Sequence, residues 1–302
     1  MDWTAEIKSA AGRIAPYIRR TPVTVLDLDG RTVMAKLEQM QHTGSFKARG
    51  AFNTLLSGPV PDAGLVAASG GNHGAAVAFA ARRLGHKARI YVPEMAGPAK
   101  IALIRQQGAD LVVVPGAYSN ALAQAQAYEA ETGAMQIHAY DAAATVIGQG
   151  TCFAEWEEQG LDADTLLIAV GGGGLIAGAL AWLDGRRKVV AVEPDTCAAL
   201  HAALAAGAPV DVEVSGVAAN ALGARRIGEI GFARAGGITS VTVPDDAIIA
   251  AQAYLWQEAR QLVEPAGAAA LAALMSGAYV PAADERVAVL VCGGNIAPDP
   301  LA

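Results

Sequence analysis

Short apolar runs alternate with amphipathic stretches along almost the whole chain. Ala75 to Leu84 has helical spacing and is stopped by Gly85. Ala88 to Val92 then predicts a strand that ends at Pro93. Pro98 to Gln107 predicts the next helix, with proline in its first turn and Gly108 just past its end. Asp110 to Val114, Leu166 to Val170, Lys188 to Val192 and Val287 to Val291 predict further strands. The last three are continuous apolar runs, as parallel strands covered on both faces require. Repeated strand–helix–strand order predicts an α/β protein with right-handed crossovers. No repeat, low-complexity segment or linker breaks the pattern, so any second domain must form by the chain crossing over and returning.

Composition narrows the setting. At 302 residues more than one hydrophobic core is expected. Hydrophobic residues make up 53% and charged residues 17%, so most elements should be buried. Aromatics are only 5%, and small residues let helices and backbone approach closely. A net charge of −7 attracts no polyanion, which argues against nucleic acid as a partner but leaves a local phosphate site open. Cys152, Cys197 and Cys292 form no CxxC pair and are odd in number, which suits a reducing compartment. Met1 to Ile7 carries acids and no long apolar run, so no signal peptide is expected. The longest apolar candidate, Leu166 to Leu183, is interrupted by four glycines, so no membrane span is expected. A cytoplasmic protein is the expectation.

The candidate chemistry begins at Lys47, in Thr43-Gly44-Ser45-Phe46-Lys47-Ala48-Arg49-Gly50-Ala51. Taken alone, it reads as a solvated lysine at a helix start. Among small residues and beside one ring, its amine would be poorly solvated, easier to deprotonate and able to form a Schiff base with an aldehyde. Ser69-Gly70-Gly71-Asn72-His73-Gly74 leads into the helix predicted from Ala75, and a helix start offers free N–H groups to an anion. Gly171-Gly172-Gly173-Gly174 lies between a predicted strand and helix, a phosphate cradle in physical terms. Cys292-Gly293-Gly294-Asn295 follows the last strand, at the end where α/β sheets gather ligands.

These motifs together resemble the fold type II pyridoxal-phosphate enzymes, in particular the serine/threonine dehydratase and serine racemase group. The resemblance runs in the family's order from Thr21-Pro22 and Lys36-Leu37-Glu38 through the Lys47 and Ser69 motifs. It continues through Gly148-Gln149-Gly150-Thr151, the glycine run, Val192-Glu193-Pro194, Glu264-Pro265-Ala266-Gly267 and Cys292 to Asn295. It implies two open, twisted, mostly parallel α/β domains with pyridoxal 5'-phosphate between them. The large cofactor-binding domain would take residues 1–52 and 142–302, and a small substrate-closing domain 53–141. No C-terminal regulatory domain is expected.

The resemblance also implies roles. Lys47 would carry the Schiff base, with Phe46 against the cofactor ring and Asn72 on its phenolic oxygen. Gly171, Gly172, Gly173 and Gly174 would hold the phosphate. Cys292 would face the pyridine nitrogen, leaving a weak electron sink suited to elimination. Ser69, Gly71, Asn72 and His73 would bind the substrate carboxylate, and Glu264 would be a positioning residue. The implied reaction is dehydration and deamination of L-threonine or L-serine to a 2-oxo acid and ammonia, by a homodimer or homotetramer. Other 3-hydroxy amino acids, such as 3-hydroxyaspartate or phenylserine, remain open.

Departures from the pattern matter as well. Racemases of the group carry a serine where this chain has Gly70, so little racemisation is expected. Their divalent-metal site pairs a glutamate, here Glu193, with an aspartate six residues on, here Ala199; no metal site is expected, although Asp195 is a conceivable substitute. Tyr140 replaces a phenylalanine and is read as packing. Arg225 and Arg226 could meet an acidic substrate side chain, but read better as solvated. Outside the family, Gly172, Gly174, Ala177 and Glu193 also fit a dinucleotide fingerprint, so a nicotinamide-dependent oxidoreductase is a rival. A cofactor-binding protein without chemistry is another.

Overall fold

The computed structural model describes residues 1–116 and 118–296. Helix α1 (Trp3–Ile14) starts at Asp2, whose carboxylate accepts from the Ala5 amide at 3.0 Å. An antiparallel hairpin follows, β1 (Val23–Leu28) and β2 (Arg31–Leu37), turned by Asp29 and Gly30 with φ of 51° and 82°. The next elements are α2 (Lys47–Leu56), β3 (Leu65–Ala68), α3 (Asn72–Leu84), β4 (Ala88–Pro93), α4 (Pro98–Gln106), β5 (Asp110–Val114), α5 (Tyr118–Thr132) and β6 (Met135–Gln136). Then come α6 (Ala143–Glu158), β7 (Thr165–Ala169), α7 (Gly174–Leu183), β8 (Lys188–Pro194), α8 (Ala199–Ala206), α9 (Ala219–Leu222) and α10 (Glu229–Arg234). The chain closes with β9 (Thr239–Val243), α11 (Asp245–Ala259), α12 (Pro265–Met275) and β10 (Val287–Val291).

Two sheets organise these elements. The six-stranded sheet has the order β1-β2-β10-β7-β8-β9, parallel except for the β1–β2 edge pair. The four-stranded sheet, β5-β4-β3-β6, is parallel throughout. Every residue of β3, β7 and β10 is buried, which is why these strands are unbroken apolar runs in the sequence. Burying each such Leu, Ile or Val contributes about 1.5–3 kcal/mol. Among the described residues no helix is long and apolar enough to cross a membrane.

Strand order reverses once in each sheet. In the larger sheet β8 and β9 lie to one side of β7 and β10 to the other. In the smaller, β4 and β5 lie to one side of β3 and β6 to the other. A crevice opens at the carboxyl ends of strands at such a reversal. The four loops there follow β7, β10, β3 and β6, and the first three are the glycine run, Cys292–Asn295 and Ser69–Gly71.

Helix α3 begins at Asn72, three residues before the start predicted at Ala75, because Gly71 with φ −146° and ψ −144° already serves as its cap. The Gly148–Thr151 motif has a packing cause. A Cβ at Gly148 would lie 2.6 Å from the Gly50 Cα, and one at Gly178 2.6 Å from the Gly150 amide nitrogen. Glycines thus let α6 press against α2 on one side and α7 on the other, fixing the helix that starts at Lys47.

Candidate active site

Thr43 and Gly44, with φ of 60° and 73°, turn the chain sharply before α2. The turned segment is laced to the loop after β10. Ser45 bridges to Gly293, the Gly294 amide donates to the Gly44 carbonyl at 2.9 Å, and the Phe46 amide donates to the Cys292 carbonyl at 3.3 Å. Lys47 therefore leaves the first turn of α2 at a fixed point above β10. Its Nζ donates to the Ala139 carbonyl at 2.8 Å and sits 5.1 Å from the Phe46 ring centre. Burial lowers this amine from 10.5 to about 8, against the opposing influence of Cys292 and Glu264. About a tenth of it is neutral at pH 7, against less than about a thousandth for an ordinary lysine.

Asn72, Asn295 and Glu264 form a chain beside it. Asn72 Nδ2 donates to Glu264 Oε1 at 2.5 Å, while Asn295 Nδ2 donates to Asn72 Oδ1 at 2.8 Å and to the Thr43 carbonyl at 2.7 Å. Glu264 lies over Gly293, where any side chain would collide with its carboxylate. Burial lifts the Glu264 carboxyl from 4.5 to about 7, although the Asn72 hydrogen bond, Lys100 and Lys47 all pull it down. Burial, then Glu264, pushes the Cys292 thiol well above its ordinary value, and the neutral thiol donates to the Ala266 carbonyl at 3.2 Å.

The raised Glu264 carboxyl has a stability consequence. Below pH 4.5 it is protonated in both folded and unfolded chains, so nothing is lost. As pH rises through 7 the folded state must hold a buried anion, at a cost of about 3 kcal/mol. Glu264→Gln keeps an acceptor for Asn72 and removes the anion. The cofactor-free variant should melt on the order of 5 °C above wild type at pH 8 and within about 1 °C of it at pH 4.5. Thermal denaturation at both pH values checks this; equal shifts at the two would refute the assigned burial.

The loop after β3 meets Lys47 from the other sheet. Ser69 Oγ accepts from the Gly71 amide at 3.2 Å. The Asn72, His73 and Gly74 amides, in the first turn of α3, donate to no group among the described residues. His73, expected to bind the substrate carboxylate, could do so through its backbone and not through its ring. His73 is buried, its Nε2 donates to the Ile137 carbonyl at 2.9 Å, and burial and Lys47 lower it to about 3. The neutral ring is tied to the small sheet, which leaves the backbone N–H of His73 free for an anion. A side chain at Gly70 would collide with Ala96.

The glycine run follows β7. The amides of Gly171 through Ile176 donate to no group among the described residues. A Cβ at Gly171 would lie 2.9 Å from the Leu222 Cα, and one at Gly172 would collide with the Tyr140 ring. Tyr140 thus packs on the run, and Asp141 next to it accepts from the Glu229 and Ile230 amides at 3.0 and 2.9 Å, capping α10. Lys100, which sequence reasoning passed over, enters the cleft from α4. Only 8% exposed, it donates to the Asn220 carbonyl of α9 at 3.4 Å. A proline and two apolar neighbours gave no signal for it.

Residues 14–293 match the family model described as pyridoxal-phosphate dependent enzyme. The chain belongs to the pyridoxal-phosphate dependent enzymes. This enzyme is 35% identical over 302 residues to the phenylserine dehydratase of Ralstonia pickettii, covering 96% of this chain and 92% of that one. It is 36% identical to the biosynthetic L-threonine dehydratase of Mycobacterium leprae, covering 96% of this chain and 71% of the relative. Among solved structures, maize serine racemase superposes with a TM-score of 0.92 at 30% identity, over 99% of this chain and 95% of that one.

The site suits pyridoxal phosphate on three counts. Lys47 supplies an amine that is easily made neutral. The six free amides from Gly171 to Ile176 are a donor set for a phosphate. Cys292 and Asn72 put a neutral thiol and an amide in the same cleft. The dinucleotide alternative fails at Glu193. Its oxygens accept from the Leu200 and His201 amides at 2.8 and 2.7 Å, so it caps α8 and is fully buried, out of reach of a ribose. Arg225 and Arg226 are exposed, and Arg226 pairs with the exposed Asp211 at 3.2 Å.

Some motifs that carried the resemblance do not border the cleft at all. Arg49 donates through Nε and Nη2 to both oxygens of Glu38, at 2.8 and 2.7 Å, and through Nη2 to Glu155 at 3.0 Å. Lys36 donates to Glu155 at 2.5 Å, to Gln159 at 2.7 Å and to the Thr21 carbonyl at 2.8 Å. Lys36, Glu38 and Arg49 are fully buried. Burial pushes the Glu38 carboxyl up, yet the Arg49 charge and hydrogen bond outweigh it and hold it below its ordinary value. This network bolts α2 to β2 and α6 beneath Lys47.

Proposed function

We propose that this enzyme converts a β-hydroxy L-amino acid, with L-threonine and L-serine the first candidates, to a 2-oxo acid and ammonia. The observation that carries the reading is the Lys47 amine, lowered to about 8 and held where the loops after β10 and β6 meet. The dehydratases of threonine and phenylserine among its relatives support a β-hydroxy substrate. Bound pyridoxal phosphate supplies an aldehyde for the substrate amine and an electron sink for the α-carbon. Lys47 would hold that aldehyde when no substrate is bound, and its amine, once free, would take the α-proton. The amides of Gly171 to Ile176 hold the phosphate. Asn72 orients the ring, with its own amide fixed between Glu264 and Asn295. Cys292, neutral and donating to the Ala266 carbonyl, would leave the ring nitrogen without a charged partner, which suits loss of the β-hydroxyl. The first-turn amides of α3 take the substrate carboxylate. Closure of the four-stranded unit onto the six-stranded one would exclude water.

The racemase alternative shares all of these parts except one. A second proton donor on the opposite face would have to come from position 70, and glycine there has nothing to give. A panel of L-threonine, L-serine, 3-hydroxyaspartate and phenylserine, assayed for 2-oxo acid, tests the proposal. At least one should release it, and L-serine should give D-serine at less than about a tenth of that rate. Silence across the panel, or D-serine formed as fast as 2-oxo acid, would contradict it.

A further inference from the structure

Three lysines of this chain lie in or near its core, and their surroundings differ in kind. Lys36 is fully buried and fully satisfied, with one carboxylate and two further oxygens within 2.8 Å. Lys47 has a single carbonyl partner and faces the cleft. Lys100, 8% exposed, resembles Lys47 rather than Lys36. Among the described residues its one hydrogen bond is the long one to the Asn220 carbonyl at 3.4 Å, and no carboxylate pairs with it, although the Glu264 carboxyl acts on it from further off. A buried ammonium with an incomplete shell is costly unless an anion completes it.

The space in front of Lys100 is specific. A Cβ built at Gly71 would lie 4.0 Å from Lys100 Nζ and 3.6 Å from the Asn220 carbonyl. The ammonium therefore stands beside the start of α3, where the Asn72, His73 and Gly74 amides are free. The helix spans 13 residues, so its N-terminal end carries a developed positive field. Gly71 has no side chain to fill the gap between these donors.

Resting on the dehydratase reading above, we propose that Lys100 is the charged contact for the substrate's α-carboxylate, completing a site whose other donors are the first-turn amides of α3. This assigns to Lys100 the charge that the His73 ring, neutral and bonded to Ile137, does not provide. It also ties recognition to closure, because Lys100 stands on α4 of the smaller sheet while Asn220 belongs to α9 beside the larger one. Substrate bound there has a cation from one unit and the cofactor from the other. Lys100 binds the carboxylate and takes no proton from the reacting carbon.

The test uses L-alanine and L-alaninamide as probes. They share the amine, lack a leaving group, and differ only in the carboxylate. Their binding to the pyridoxal-phosphate-loaded protein is read from the change in visible absorbance, with no turnover involved. Wild type should favour alanine, and Lys100→Met should cut that preference about ten- to hundredfold, the size of a hydrogen bond to a charged group. Lys100→Arg should keep most of it. Lys100→Gln, which retains a polar end, is the second variant should the methionine fold poorly, with the same loss expected. Were Lys100 only a bolt between the two units, both probes would weaken together and the preference would stay, which overturns the proposal. If neither probe, nor any β-hydroxy amino acid, perturbs wild type, the dehydratase reading falls and this assignment with it.

Discussion

Lys47→Ala should abolish turnover while leaving the fold intact. Production of 2-oxo acid is expected to drop at least about a thousandfold, because the variant loses both the amine that holds the aldehyde and the group that takes the α-proton. Lys47→Arg should not rescue it, since a guanidinium stays protonated at working pH. Stability separates this from a general collapse. The Lys47 amine is depressed to about 8 in the folded chain, so the folded state disfavours its ammonium form. Removing it should leave the melting temperature of the cofactor-free protein unchanged or slightly higher. A variant that loses activity only in step with its stability would speak against the role.

Arg49→Met is expected to have the opposite profile. It leaves Glu38 buried with no cation in contact, and Glu155 with Lys36 alone. Breaking one side of a buried pair typically costs about 3–5 kcal/mol. Denaturant unfolding of cofactor-free protein should register a loss of that size. Arg49→Met combined with Glu38→Leu should cost less than Arg49→Met alone, because two apolar groups leave no stranded charge. A single-variant loss under about 1 kcal/mol would mean the network is not the support for α2 that its geometry implies. Because Lys47 starts that same helix, activity should fall as well, through misplacement rather than lost chemistry.

Much of this arrangement is legible in the chain. Apolar runs gave β4, β5, β7, β8 and β10 but not β3, β6 or β9, and proline and glycine placed the ends of α4 within a residue. The glycine run and Lys47 stand out because their neighbours are small. The edge hairpin β1–β2 escaped because its strands are only partly buried and carry no continuous apolar run. The early start of α3 escaped because Gly71 caps through its backbone shape, with no side chain to announce it. His73 shows a further limit. Its type suggests a ligand contact, but whether a ring turns to the cleft or to Ile137 depends on packing between β3 and β6. Lys36, Glu38 and Arg49 travel with the cofactor motifs in sequence, yet they act by holding α2. Lys100 is invisible for the same reason in reverse: its neighbours on α4 are ordinary, and only folding brings it to Gly71 and Asn220.

The central claim is that Lys47 holds the cofactor. Borohydride reduction of the pyridoxal-phosphate-loaded protein, followed by peptide mapping, tests it most directly. The account predicts one pyridoxyl group per chain, on the peptide containing Ser45-Phe46-Lys47. A label on Lys100 or Lys36 instead, or no label on a protein that still makes 2-oxo acid, would contradict it.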